Sequence, residues 1–176
     1  DLLTETAPRG DGFLADVVEA WEAAAEPARD AGIRVVSLRQ GLVLSRPGGA
    51  LGRLLLPFRL GLGGPVGSGR QWWSWVTMED AVRAYLHALD RPLAGAFNVT
   101  APEPARNRDF VKELGHALHR PALAPFPAFA VKALLGEMGE ELLLASQRVL
   151  PTGLTADGFQ FRQRSLGDAL ASLFPA

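Results

Sequence analysis

The sequence predicts an α/β chain built from βαβ units around a parallel sheet, followed by a smaller, mainly helical part. Two observations carry the first half of that expectation. Strand-like and helix-like patterns alternate through the first hundred residues. The segment Ile33–Arg39 is rich in β-branched residues and largely apolar, as strands covered on both faces are. The second half rests on a change after Pro121, where shorter helical patterns take over. Two or three strands are too few for a stable doubly wound sheet. Together with a start at Asp1 rather than methionine, this predicts a fragment of a larger fold.

The elements follow in order. Phe13, Leu14, Val17, Val18, Trp21 and Ala24 recur at three- and four-residue steps, which predicts a helix with Asp11 as its N-cap and an end at Ala31-Gly32. Pro27 should kink or fray its last turns. The strand 33–39 follows, and Arg46-Pro47-Gly48-Gly49 marks a turn before an apolar helix, Ala50 to Leu60. Five glycines and a proline make Gly61 to Gly69 a loop. Gln71 to Val76 alternates, with Gln71, Trp73 and Trp75 on one face and Trp72, Ser74 and Val76 on the other, as in a short strand. Thr77-x-x-Asp80 is a capping-box variant that opens a helix to about Leu89. Gly95–Thr100 is a strand, Asn107 is expected to cap a helix through Leu118, and helices are expected over Ala128–Leu135 and Glu140–Ser146. A strand Phe159–Phe161 and a helix Ser165–Phe174 complete the chain.

Composition limits the function classes. With 48% hydrophobic and 21% charged residues the chain is not intrinsically disordered. A net charge of −1 excludes a binder that holds nucleic acid through overall positive charge. Without cysteine there is no disulfide, thiol nucleophile or thiolate metal site. No apolar run approaches a membrane span, and no signal peptide opens the sequence, so a soluble, cytoplasmic protein is expected. Only two of the 18 basic residues, Lys112 and Lys132, are lysines, which leaves few candidates for a catalytic lysine.

Three segments resemble the extended short-chain dehydrogenase/reductase superfamily. They are Val35–Arg39 with Gln40–Leu44, Gly67–Ala81 (similar to its Gly-Asp-Gly … Arg-Asp-Phe-Val-His-Val-Asp-Asp-Val segment), and Gly95–Val99. Trp21–Ala25, the run Leu55-Leu56-Pro57-Phe58-Arg59-Leu60-Gly61-Leu62-Gly63-Gly64-Pro65, Asn98–Pro102 and Gln147–Pro151 resemble one atypical branch of it. This is the epimerase-family, or sugar-nucleotide epimerase-like, group with a C-terminal domain of unknown function. The resemblance implies the C-terminal part of a Rossmann-type NAD(P)-binding fold over residues 1–120, with substrate-side insertions at 46–94, and the family's helical domain over 121–172. It also implies NADP(H) as cofactor of the intact protein and carbonyl/alcohol redox or epimerase-like chemistry on an unknown small molecule. The Gly-x-x-Gly-x-x-Gly turn that seats the pyrophosphate is absent, because Gly61-x-Gly63-Gly64 and Gly67-x-Gly69 precede a strand and not a helix. The chain alone is therefore expected to bind a dinucleotide weakly or not at all.

Two departures from the superfamily matter. If Glu22 is the glutamate that follows the Tyr-x-x-x-Lys pair, Leu14 and Val18 stand where its tyrosine and lysine would, and neither transfers a proton. Trp73 and Ser74 replace the Arg-Asp that serves sugar-nucleotide diphosphates, with Arg70 a loose substitute. No catalytic residue is assigned. A non-catalytic nicotinamide sensor or scaffold is the competing function.

Gln40, Gly41, Leu42 and Val43 are the candidate cofactor contacts, since ligands lie at the carboxyl ends of strands in open α/β sheets; turn geometry alone would also explain them. Arg39, Arg70, Trp73 and Trp75 are candidate substrate-pocket residues. The alternatives are an ion pair for Arg39 and simple packing for the tryptophans. Glu113, His116 and His119 share neighbouring helix faces but lack a further clustered ligand, so no metal is expected and a solvated helix face is preferred. Solvated faces also account for His87 and for the acidic group Glu137, Glu140 and Glu141, and the helix dipole accounts for Glu79-Asp80. The oligomeric state stays open.

Overall fold

The computed structural model describes residues 1–175, with side chains described for all of these but 134–140 and 142. The strands are β1 (Leu2–Leu3), β2 (Val36–Gln40), β3 (Leu42–Leu44), β4 (Trp72–Trp73), β5 (Trp75–Thr77), β6 (Gly95–Val99), β7 (Ala105–Arg106) and β8 (Arg148–Val149). The helices are α1 (Phe13–Ala23), α2 (Glu26–Asp30), α3 (Gly49–Arg59), α4 (Met78–Asp90), α5 (Asn107–Leu118), α6 (Ala128–Gly139), α7 (Thr152–Ala156) and α8 (Leu166–Leu173).

The α/β alternation holds, and the long pairings are parallel. β2 lies beside β6 with Val36 opposite Gly95 and Gln40 opposite Val99, and β3 lies beside β5 with Leu42 opposite Trp75. β6 is the only neighbour of β2 among the described residues. Val36–Arg39 are half-buried and Gln40 is exposed, so the strand is not covered on both faces as the apolar run suggests.

Pro27 divides the first predicted helix into α1 and α2, at the start of the second of which it sits without cost. Asp11 does not cap α1; Gly12 is the N-cap and no side chain serves. Thr77 caps α4 as expected, its hydroxyl accepting from Asp80 N–H at 3.2 Å. Asn107 is the first residue of α5 and not its cap, because its Oδ1 accepts from Val66 N–H at 2.8 Å and ties the glycine loop to the helix. The two helices expected after Ala128 are one, α6, which runs on as a π-helical turn over Glu140–Leu144. Phe159–Phe161 form no strand; the two rings pack edge to face at 4.8 Å in the core.

Two apolar clusters lie on opposite sides of β5. Trp73 and Trp75 join Leu44, Leu51, Leu55, Phe58, Phe110, Leu114 and Leu170 in one, and Val76 joins Ala84, Val99, Leu154, Phe159 and Phe161 in the other. This is the alternation read from the sequence, interrupted at Ser74. Residues 148–161 return to the sheet: β8 pairs with β1, and Gly153 of α7 lies against Phe97 of β6. Two helices keep apolar faces in solvent. α1 buries no residue and exposes Phe13, Val18 and Trp21, and α4 exposes Met78, Val82, Tyr85, Leu86 and Leu89 along one stripe. Among the described residues no helix is long and apolar enough to cross a membrane.

Candidate functional site at the carboxyl ends of the parallel strands

β2 and β6 separate at their carboxyl ends, and β5 enters the gap. Gly41 N–H donates to Val99 carbonyl at 3.1 Å, the last bond of the β2–β6 ladder. The next residue, Leu42, donates to Ser74 carbonyl at 2.8 Å, and Ala101 N–H donates to Trp75 carbonyl at 2.6 Å. Two consecutive N–H groups, of Gly41 and Leu42, therefore serve neighbours on one edge, as in a β-bulge. Glycine is required here by space: a Cβ on Gly41 would lie 2.5 Å from Ser74 carbonyl oxygen and 2.8 Å from Thr100 Cγ2. Gly41 thus lies in close approach to the protein's own backbone at Ser74.

This arrangement divides the four cofactor candidates. The N–H groups of Gly41 and Leu42 are committed to the sheet, and Leu42 and Val43 pack against the two core clusters. The Gln40 side chain is exposed at the end of β2, where its Nε2 donates to Tyr85 hydroxyl at 2.8 Å. Of the four, Gln40 has a side chain that fits a polar contact with a nicotinamide. The other three shape the strand end that presents it.

The four pocket candidates make the following contacts. Arg39 meets Glu22 through Nε–Oε1 at 2.6 Å and Nη2–Oε2 at 2.7 Å, and its Nη1 donates to Glu5 carbonyl at 3.4 Å. It is an ion-pair residue joining α1 to β2, and its charge is already answered. The Arg39 hydrogen bond holds the Glu22 carboxyl below its usual range, and Glu22 raises the Arg39 guanidinium in return. Trp75 is fully buried, with Nε1 donating to Glu103 carbonyl at 3.0 Å. Trp73 packs edge-on against Phe110 at 5.3 Å and donates to Leu143 carbonyl at 3.3 Å. Both are buried in the core, as indoles of this size are once their N–H is satisfied. Arg70 is exposed, and its carbonyl accepts from Arg106 Nη1 at 2.7 Å.

Several residues that order this region carried no signal in sequence. Glu5 is gripped by the Thr152 hydroxyl, Asn98 N–H and Gly153 N–H, which fastens the first residues across the end of β6 and onto α7. Burial pushes its carboxyl up, but these hydrogen bonds outweigh burial and leave it below the usual range. Ser74 Oγ donates to Gln147 carbonyl and accepts from Val149 N–H, both at 2.8 Å, holding the 146–149 segment beside β5. Asp80 is more than a helix-dipole residue: it is buried and accepts from Arg162 N–H, Gln163 N–H and Arg83. His87 is half-buried, 2.6 Å from Asp157, and lowers that carboxyl's pKa by their hydrogen bond. Glu141 accepts from Leu14 N–H at 3.3 Å, whereas the side chains of Glu137 and Glu140 lie outside the described residues. His119 ends α5 in a left-handed conformation, and no metal-holding group of three or more acidic or histidine side chains occurs among the described residues.

The chain has clear relatives. The family model described as "Domain of unknown function (DUF1731)" matches residues 126–173. "Epimerase family protein ML0860" of Mycobacterium leprae is 42% identical over 97% of this chain and 56% of its own length. A crystal structure of human epimerase family protein SDR39U1 (isoform 2) with NADPH is 40% identical, with a TM-score of 0.93 over 98% of this chain and 59% of that one. A structure called nucleoside-diphosphate sugar epimerase, from Corynebacterium glutamicum, is 36% identical with a TM-score of 0.78, covering 99% of this chain and 34% of that one. The chain thus spans about half the length of the curated relatives it matches. On sequence and on fold it is similar, over that part of their length, to the epimerase-family branch of atypical extended short-chain dehydrogenase/reductases.

Proposed function

We propose that this chain is the substrate-side portion of an NADP(H)-binding, oxidoreductase- or epimerase-like protein that acts on a small molecule in the cytoplasm. The observation that carries the reading is the parted pair β2 and β6, with exposed Gln40 at the parting, in a chain similar to a protein crystallised with NADPH. The free edge of β2 and the apolar stripes of α1 and α4 support a larger protein, in which further sheet and helices cover them.

In that protein NADP(H) supplies hydride transfer when bound. Gln40 offers its carboxamide to the nicotinamide side. Gly41 lets the strand turn aside, and the Glu22–Arg39 pair keeps the strand end fixed to α1. The Tyr85 hydroxyl receives the Gln40 hydrogen bond at the parting. A second reading, a nicotinamide-binding sensor or scaffold without turnover, is favoured by Leu14 and Val18 at the positions where the superfamily has its tyrosine and lysine.

One experiment separates the readings. The full reading frame is titrated with NADPH and with NADH by fluorescence, then assayed with a panel of carbonyl compounds. Saturable NADPH binding with turnover supports the enzyme, and binding without turnover supports the sensor. No binding of either nucleotide overturns both.

A further inference from the structure

We infer that the segment between Pro127 and Leu144 is a lid over the carboxyl ends of the parallel strands, and that Glu141 is the latch that holds it shut on α1. The Glu141 carboxylate reaches across 127 residues of chain to accept from Leu14 N–H at 3.3 Å. Leu14 is the second residue of α1, and the N–H groups of a helix's first turn have no partner within the helix. The local sequence supplies no cap either, since Gly12 is the N-cap and has no side chain to offer. Gly12 adopts φ 104° and ψ 173°, a conformation open to glycine, and a Cβ there would lie 3.1 Å from Glu141 Oε1. Conformation and space at residue 12 both suit a carboxylate that arrives from elsewhere. A serine or aspartate at residue 12 would cap the helix locally. A cap borrowed from so far away makes the order of this helix end depend on where the C-terminal segment lies.

The latch lies at the ligand end of the sheet. From Glu22, level with Arg39 near the carboxyl end of β2, the chain descends through α2 to reach the start of β2. Leu14 precedes Glu22 on the same helix, and a rise of 1.5 Å per residue carries it about 12 Å the other way. It therefore stands beyond the strand ends, where open α/β sheets bind their ligands. The segment that carries Glu141 is rooted at one place. Gly67 N–H donates to Phe126 carbonyl and Phe126 N–H to Pro65 carbonyl, both at 2.8 Å. Leu143 carbonyl accepts from Gln71 Nε2 at 3.0 Å and from Trp73 Nε1 at 3.3 Å. A Cβ on Gly67 would lie 3.6 Å from Ala128 Cβ and 3.1 Å from Leu144 Cδ2, so the two ends of the segment meet over one glycine. A segment rooted in this way swings about its base, and the Glu141–Leu14 bond is where the swing meets α1. Glu141 sits in the π-helical turn Glu140–Leu144, a rare geometry that clusters at functional sites. Closure keeps water out of the crevice, as hydride transfer requires; that part rests on the NADP(H) reading above. It gives a task to the region matched as a domain of unknown function, 126–173.

Hydrogen exchange at the Leu14 amide, followed by ¹⁵N NMR, reads the latch directly, with Phe13 and Ala15 beside it for comparison. In this chain Leu14 should exchange about three- to tenfold faster in Glu141→Ala than in wild type, the span of one hydrogen bond. In Glu103→Ala, which removes an exposed carboxylate elsewhere, Leu14 should keep the wild-type rate. In the full reading frame, saturation with NADPH should slow Leu14 exchange by about threefold or more, because lid closure and ligand binding favour each other reciprocally. NADPH should in turn dissociate about three- to tenfold faster from Glu141→Ala. Equal Leu14 exchange in wild type and Glu141→Ala overturns the latch. Leu14 exchange unmoved by NADPH, with binding shown by fluorescence, overturns the lid. Absence of NADPH binding overturns the proposed function and the lid with it, and the response of Leu14 to Glu141→Ala tells that failure apart from failure of the latch. The wild-type response to NADPH decides the question even if Glu141→Ala fails to fold.

Discussion

Arg39 grips Glu22 with two of its nitrogens, and this bidentate pair joins the carboxyl end of β2 to the last turn of α1, a helix that otherwise buries no residue. The pair sits one position before Gln40, so it fixes the strand end on which the cofactor reading depends. In the sequence Glu22 is legible only as a remnant of a lost Tyr-x-x-x-Lys motif. In the structure it has a positional task of its own.

Glu22→Gln should lower stability by roughly 0.5–1 kcal/mol at pH 7, the range for a partly exposed pair. The sign of the pH dependence follows from the lowered Glu22 pKa. A carboxyl whose folded pKa is depressed stabilises the fold above its unfolded pKa, about 4.3, and that stability is lost as pH falls through the folded value. Urea denaturation of both proteins should show the difference at pH 7 and lose it towards pH 3.

Gly41→Ala should be among the most damaging small substitutions. Its Cβ would meet backbone at Ser74, which cannot swing away as a side chain can. Either β3 leaves β5 or the β2–β6 ladder loses its last bond. Overpacking of this kind costs about 1–3 kcal/mol, and thermal unfolding should reveal it together with weaker amide protection of Leu42.

Asp80→Asn changes one atom in a buried cluster. Both Asp80 oxygens accept from backbone N–H groups, of Arg162 and Gln163, and Oδ1 also accepts from Arg83. An amide would set an NH₂ against a donor, so a loss of roughly 2–4 kcal/mol is expected. Denaturation should show it, with early exposure of the segment after Phe161.

Much of the fold was legible because its signals are local. The Thr77-x-x-Asp80 cap placed α4, and the alternation of 71–76 placed Trp73 and Trp75 on one face. What escaped is decided at long range. Two-residue strands such as β1 and β8 exist only because Leu2 lies opposite Arg148, a pairing with no local trace. Asn107 has the composition of a cap, yet Val66, 41 residues away, takes its oxygen. At the site, the sequence identified the strand end at 40–43 but not that Gly41 and Leu42 spend their N–H groups inside the sheet. It could not say whether the tryptophans lined a pocket, since burial depends on Phe110 and Leu143, far along the chain.

The central claim is that the parted strand end presents Gln40 to NADP(H). Fluorescence titration of the full reading frame with NADPH, wild type against Gln40→Ala, tests it most directly. The account predicts saturable binding that weakens about three- to tenfold in the variant, roughly 0.7–1.4 kcal/mol, the range of one polar contact. Equal affinity in the two proteins, with the fold of both intact, would contradict it.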